Sequence, residues 1–269
     1  MRSPHEHDAA PAGHRPLGHL RWAQRGRPRD PRRRGGRVVG LIGPNGAGKT
    51  TFIDAVTGFV PISSGRVAFD GTPCDHLAPH RRALRGLART FQSIELFEDL
   101  SVRENLLVSS ERVHWWSVLR NLVRPGGVSH VDQVDWALDL LGLGTAAEKM
   151  PSELSHGQRK LVGVARSLAA RPKLVLLDEP AAGLDSKESH VLGEHIRELP
   201  RHGITVFLID HDMHLVLGVC DEVYVLEFGE LIARGSPAEI RNDERVVAAY
   251  LGEQAREVLE GVDGAEVTR

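Results

Sequence analysis

A chain of 269 residues, 41% hydrophobic and 26% charged, is long enough to bury one large core. Its formal charge of −2 excludes a global pull toward nucleic acid or acidic lipid, so any polyanion must be met locally. Cys74 and Cys220 are too few for a disulfide framework and lack metal-type spacing, which suits a reducing cytosol, and no run approaches the ~18 apolar residues of a spanning helix.

Residues 1–36 hold nine Arg, five Pro, five Gly and four His, with no Val, Ile, Phe or Tyr. Such a stretch has no apolar face to bury, and its composition predicts disorder. Three readings compete for it: a basic arm for nucleic acid or lipid, a natural flexible extension, or the product of a wrong start or shifted reading frame, which is the reading favoured. From Arg37 the character changes. RVVGLI (Arg37 to Ile42) reads as a central parallel strand buried on both faces, followed by a glycine-rich loop and a helix over TFIDAVTGF.

GRVAFDG (Gly65 to Gly71) reads as a strand, and ARTFQ marks the end of another. Residues 93–160 read as a helical insertion, with Val131, Val134, Leu138 and Leu141 expected on one apolar face. KLVLLDEP and ITVFLIDHD then predict two more buried strands. Between them Val191, Leu192, Ile196 and Leu199 form a stripe on a helix. EVYVLEFGELIARG predicts a hairpin turning near Phe228 and Gly229. The expected architecture is α/β: a mostly parallel sheet with a helical subdomain and a truncated antiparallel part, spanning 37–252 before a loose acidic tail at 253–269.

Three motifs carry chemistry. GPNGAGKT (Gly43, Pro44, Asn45, Gly46, Ala47, Gly48, Lys49, Thr50) fits G-x-x-x-x-G-K-[ST] after an apolar strand. Glycines let backbone N–H groups turn toward phosphate oxygens. Lys49 is expected to reach the β and γ phosphates, and Thr50 to offer its hydroxyl to Mg²⁺. Asp178 and Glu179 close the LVLLDE strand, where one carboxylate can hold Mg²⁺ through water and the next can orient or activate an attacking water; a solvated strand end is the blander alternative. LSHGQ (Leu154 to Gln158) opens a helix with Ser155 as N-cap and Leu161, Val164 and Leu168 facing inward. Asp210, His211, Asp212 and His214 also offer metal ligands, but alternation along an extended strand end keeps His211 and His214 from converging.

In the order GPNGAGKT, TFQ, LSHGQ, LVLLDE, GLD and DHD, the chain from Arg37 to about Gly252 resembles the nucleotide-binding subunit of an ATP-binding cassette (ABC) transporter, a P-loop NTPase. The resemblance implies Walker A at Gly43 to Thr50 with Thr51 beside it, a Q-loop at Gln92, the signature at Leu154 to Gln158, and Walker B ending in Asp178. It also implies a D-loop at Ala182 to Asp185, a catalytic Glu179 and a switch histidine at His211. MgATP is then expected between Walker A of one cassette and the signature of a second, identical or paralogous, where Ser155, Gly157 and Gln158 would meet it. Gln92 would touch Mg²⁺ beside Thr50 and Asp178. His156 departs from the usual LSGGQ.

GLARTFQSIELFEDLSVRENLLV and the ending through AAYLG resemble the ATP-binding subunit of branched-chain amino-acid importers. The expected partners are transmembrane permease subunits at the cytoplasmic face and, indirectly, a substrate-binding protein, with no nucleic acid. Import of urea or other small amides is an alternative, and a soluble non-transport cassette is a rival of another class. The family's usual opening of strands and an adenine-stacking aromatic is not legible in residues 1–36, where Trp22 is the single aromatic. Loss of such stacking is expected to cost about 1–3 kcal/mol of ATP binding. Trp115 and Trp116 read as packing residues of the insertion rather than as membrane contacts.

Overall fold

The computed structural model describes residues 36–90, 96–110 and 130–250. Strands β1 (Val38–Ile42), β2 (Ala68–Phe69), β3 (Thr72–Pro73), β4 (Leu87–Arg89), β5 (Leu174–Asp178), β6 (Thr205–Ile209), β7 (Glu222–Glu227) and β8 (Glu230–Gly235) form two sheets. The large sheet has the order β4-β5-β6-β1-β7-β8, parallel except for the β7–β8 hairpin. The helices are α1 (Lys49–Thr57), α2 (Pro79–Leu84), α3 (Val102–Ser110), α4 (His130–Leu140), α5 (His156–Ala169), α6 (Ser186–Glu198), α7 (Met213–Val219) and α8 (Pro237–Arg241).

Both sheet faces are covered, as continuous apolar strands require. Alternate residues divide cleanly: Val39, Leu41, Leu174, Leu176, Phe207 and Ile209 join Phe52 and Ile53 of α1 in one core. Val38, Ile42, Val175, Leu177, Val206 and Leu208 join Leu168 of α5, Leu192 of α6 and Val216 of α7 in the other. Each such side chain contributes roughly 1.5–3 kcal/mol of burial. Gly40 lets α7 approach the sheet, since a Cβ there would lie 2.7 Å from a methyl of Val216.

The chain is seated in the fold from Gly36, whose N–H donates to Pro200 O at 3.1 Å. The rest of the leader, Gln92, Trp115, Trp116 and the tail from residue 251 lie outside the described residues. In the helical part, α3, α4 and α5 pack together through Leu106, Val134, Leu138 and Val164.

Three expectations need correction. Val131 is 49% exposed, because the second residue of α4 extends past the core that Val134, Leu138 and Leu141 fill. Val191 is 38% exposed, since α6 turns about 100° per residue and its inward stripe is Leu192, Ile196 and Leu199. The GRVAFDG strand shrinks to two residues, paired across a turn at Asp70 (φ 51°) and Gly71 (φ 76°), and Pro73 has no N–H with which to extend the ladder. Near it, Arg82 is buried and donates to the carbonyls of Leu77, Ala55, Val56 and Asp75, tying α2 to the end of α1.

Candidate functional site

The phosphate-type loop leaves the end of β1 and enters α1 through Gly48, which is left-handed (φ 97°) and has no side-chain cap. The first turn of α1 holds no acidic residue, so its N–H groups and the positive end of its dipole present an anion site. Gly43 (φ 155°) abuts the hairpin strand β7 so closely that a Cβ would lie 2.1 Å from Leu226 O. Pro44 and Ala47 close the turn through an N–H···O bond of 3.1 Å, and Gly229 N donates to Ala47 O at 2.9 Å. Asn45, Gly46 (φ 76°), Thr50 and Thr51 lie at the surface. Lys49 is buried and its Nζ donates to Gly43 O at 2.6 Å and Pro44 O at 2.9 Å, so the ammonium sits inside the curl of the loop.

Asp178 ends β5, buried at 8% exposure. Its backbone N–H donates to Thr90 Oγ1 at 3.2 Å, and its Oδ2 accepts from Arg89 Nη2 at 2.8 Å. Arg89 also pairs through Nη1 with Asp54 of α1. The next residue, Glu179, is a non-glycine residue at φ 48°, a strained conformation held by its N–H donating to Ile209 O at 2.8 Å. That turn lifts Glu179 off the strand line, half-buried.

The end of β6 supplies the neighbouring wall. Asp210 is completely buried; its Oδ2 accepts from Ala181 N and its Oδ1 from Asp212 N, each at 3.0 Å. Burial pushes its carboxyl above the ordinary range, against the downward pull of those two N–H groups and His211. His211 is exposed, with Nδ1 3.6 Å from Asp210 Oδ1. Lys160 of α5 is buried as well; burial pushes its ammonium down while Asp210 and Glu179 hold it up. Asp212 instead caps α7, accepting from His214 N and Leu215 N, so this run is spent on helix and turn construction. Among the described residues, no group of three or more His, Cys, Asp and Glu forms a metal cage. Burial pushes the Cys220 thiol up to about 12, and Cys74 is buried too, so both cysteines are inert packing residues.

The LSHGQ turn is built by local bonds. Ser155 Oγ accepts from Gln158 N at 3.2 Å, and Gln158 Oε1 accepts from Ser155 N at 3.0 Å, a reciprocal capping box at the start of α5. The hydroxyl proton of Ser155 remains to be donated. A Cβ on Gly157 would meet Glu188 Oε1 at 2.6 Å, while Glu188 completes the Asp185 cap of α6. His156 lies against Gly183 of the segment Ala182–Asp185, with Nε2 3.1 Å from where a Cβ would stand. Val164 and Leu168 face inward, with Leu161 partly buried. Arg89, Asp54, Lys160 and Glu188 carry no signal in the sequence, and Asp210 stands out there only as a candidate metal ligand; a pair 89 residues apart, such as Arg89 and Asp178, leaves no local periodicity.

The fold and the loop define a P-loop nucleotide-binding ATPase. A profile described as ABC transporter matches residues 33–182, and one described as branched-chain amino acid ATP-binding cassette transporter matches residues 230–256. The chain is 38% identical over 222 residues to the high-affinity branched-chain amino acid transport ATP-binding protein LivG of Salmonella typhimurium, covering 80% of this chain and 87% of that protein. It is 36% identical over 217 residues to the lipopolysaccharide export system ATP-binding protein LptB of Haemophilus influenzae, covering 81% and 86%. A crystal structure of the ADP conformation of MJ1267, an ATP-binding cassette of an ABC transporter, matches with a TM-score of 0.71 and 33% identity over 81% of this chain and 89% of that one. The chain belongs to the ABC transporter family, as an ATP-binding and ATP-hydrolysing subunit of a transporter complex. Among the described residues no helix is long and apolar enough to cross a membrane.

Proposed function

We propose that this subunit hydrolyses MgATP at the cytoplasmic face of a membrane to drive import of branched-chain amino acids delivered by a substrate-binding protein. The observation that carries the cargo is the match of residues 230–256 to the branched-chain cassette profile. The likeness to LptB keeps lipopolysaccharide export as the second reading.

The N–H groups of Gly46, Gly48, Lys49, Thr50 and Thr51 and the Lys49 ammonium bind the phosphates of ATP, held by the curl of Gly43, Pro44, Asn45 and Ala47. The Thr50 hydroxyl and the Asp178 carboxylate are hard oxygen donors that fit Mg²⁺, with Gln92 as a further ligand from outside the described residues. Mg²⁺, when bound with the nucleotide, offsets charge on the β and γ phosphates. Glu179 orients water and accepts its proton as oxygen attacks the γ phosphorus; the bond to the β-γ bridging oxygen breaks, giving ADP and phosphate. His211 holds the γ phosphate and the attacking water.

Ser155, Gly157 and Gln158 serve a nucleotide on a second cassette. Ser155, exposed at the head of the turn, offers a hydroxyl proton to the γ phosphate together with the N-terminal dipole of α5, while Gly157 is buried behind it. Gln92 connects the site to the helical part that receives the permease. A cleft of ≈ 350 Å³ lined by Phe59, Leu87, Arg89, Ser109 and Arg166 supports a docking surface there, beside the exposed rings of Phe59 and Phe97. We assign residues 37–252 to the ATPase domain, with a helical subdomain at about 93–160. The cargo is tested by uptake of labelled leucine, isoleucine and valine in cells with and without this gene: loss of uptake is expected, and unchanged uptake together with an export defect in lipopolysaccharide overturns the assignment.

A further inference from the structure

The buried guanidinium of Arg89 has two jobs. Its Nη2 donates to Asp178 Oδ2 at 2.8 Å, and its Nη1 pairs with Asp54 of α1, with Thr57 Oγ1 at 3.5 Å. The side chains of Arg89 and Asp178 are only 10% and 9% exposed, so the pair lies away from the screening that weakens surface ion pairs. Phe59 lies beside the guanidinium, 6.0 Å from its ring centre. Three elements therefore meet on one planar cation: the end of β4, the end of β5, and the helix that begins at Lys49.

We infer that Arg89 is a positioning residue for metal-assisted nucleotide binding: it fixes the Asp178 carboxylate by one oxygen and locks it in register with α1, leaving Oδ1 to serve the magnesium site. This rests on the reading of Asp178 as the Walker B carboxylate. The chemistry favours arginine for a geometric reason. Two nitrogens of one rigid plane reach two carboxylates on different elements, a fixed spacing that the compact ammonium of a lysine does not reproduce. A carboxylate released from such a grip regains rotamer freedom, and a metal must then repay that ordering when it binds. Asp54 sits five residues after Lys49, so the same grip keeps the carboxylate at a fixed offset from the phosphate-binding turn.

The test is the ratio of affinities for a fluorescent ATP analogue with excess Mg²⁺ and with EDTA, measured by titration on the purified full chain, with circular dichroism melts alongside. Arg89→Ala is expected to shrink the Mg²⁺/EDTA ratio at least tenfold while affinity in EDTA stays within about threefold. Arg89→Lys is expected to shrink it at least threefold, and it carries the test if Arg89→Ala does not fold. Asp54→Asn, which removes the negative charge that α1 offers the arginine, is expected to shift the ratio in the same direction by less. Asp178→Asn separates the two readings. If Asp178→Asn abolishes the ratio but both Arg89 variants keep the wild-type value, the positioning role is overturned and the Walker B reading stands. If Asp178→Asn keeps the ratio too, both fall.

Discussion

The Gly43–Thr50 loop and the Ser155–Gln158 turn are both helix entrances, yet they are built in opposite ways. The loop is held by the rest of the molecule: Gly43 is pressed on Leu226, Ala47 is bonded to the β7–β8 hairpin, and Lys49 is folded inward and buried. The turn is closed by a capping box whose two bonds each link residues three apart, and Ser155 and His156 face solvent while Gly157 backs onto Glu188. A preformed, uncapped loop suits a group that receives phosphates. A self-sufficient exposed turn suits a surface offered to another molecule. In the proposed reading one chain carries two unlike half-sites, as a head-to-tail pair requires.

Lys49→Ala removes the buried ammonium and is expected to lower turnover by about 10²–10³-fold, as loss of a strong preorganised donor does; a phosphate-release assay checks it, and wild-type turnover would remove Lys49 from the phosphate site. Gly43→Ala forces a methyl against Leu226 O and should cost about 1–3 kcal/mol of stability, read as a lower denaturant midpoint. An unchanged midpoint would mean that the loop is not fixed by the hairpin.

The turn should respond more gently and locally. Ser155→Ala loses the cap on Gln158 N and should cost about 0.5–2 kcal/mol in a melt, while binding of ATP by the isolated chain is expected to stay unchanged if, as proposed, Ser155 serves a different chain's nucleotide. A large loss of ATP affinity in that variant would contradict the division into half-sites.

Much of this was legible in the sequence because its signals are contiguous. The strands before Gly43 and Glu179, the Ser155 cap, and the turn at Phe228 (φ 46°) and Gly229 (φ 80°) are each encoded within a few residues. Failures came where tertiary geometry decides. Periodicity placed Val131 and Val191 on apolar faces, but the edge of a core is set by what packs opposite, and these two side chains stay 49% and 38% exposed. Arg89 and Asp178 are 89 residues apart, and Asp210 gathers N–H groups from two loops; neither arrangement has a spacing to read. Glu179 was picked for its carboxylate, but its left-handed backbone could only be seen in the fold.

The central claim, that nucleotide is shared between the loop of one cassette and the turn of another and released by hydrolysis at Glu179, is tested most directly with Glu179→Gln. Light scattering with MgATP or MgADP, paired with a turnover assay, reads assembly and chemistry together. A two-chain species in MgATP alone is expected, with turnover reduced about 10²–10⁴-fold, the contribution of a positioned general base. A one-chain species that turns ATP over at the wild-type rate would contradict it.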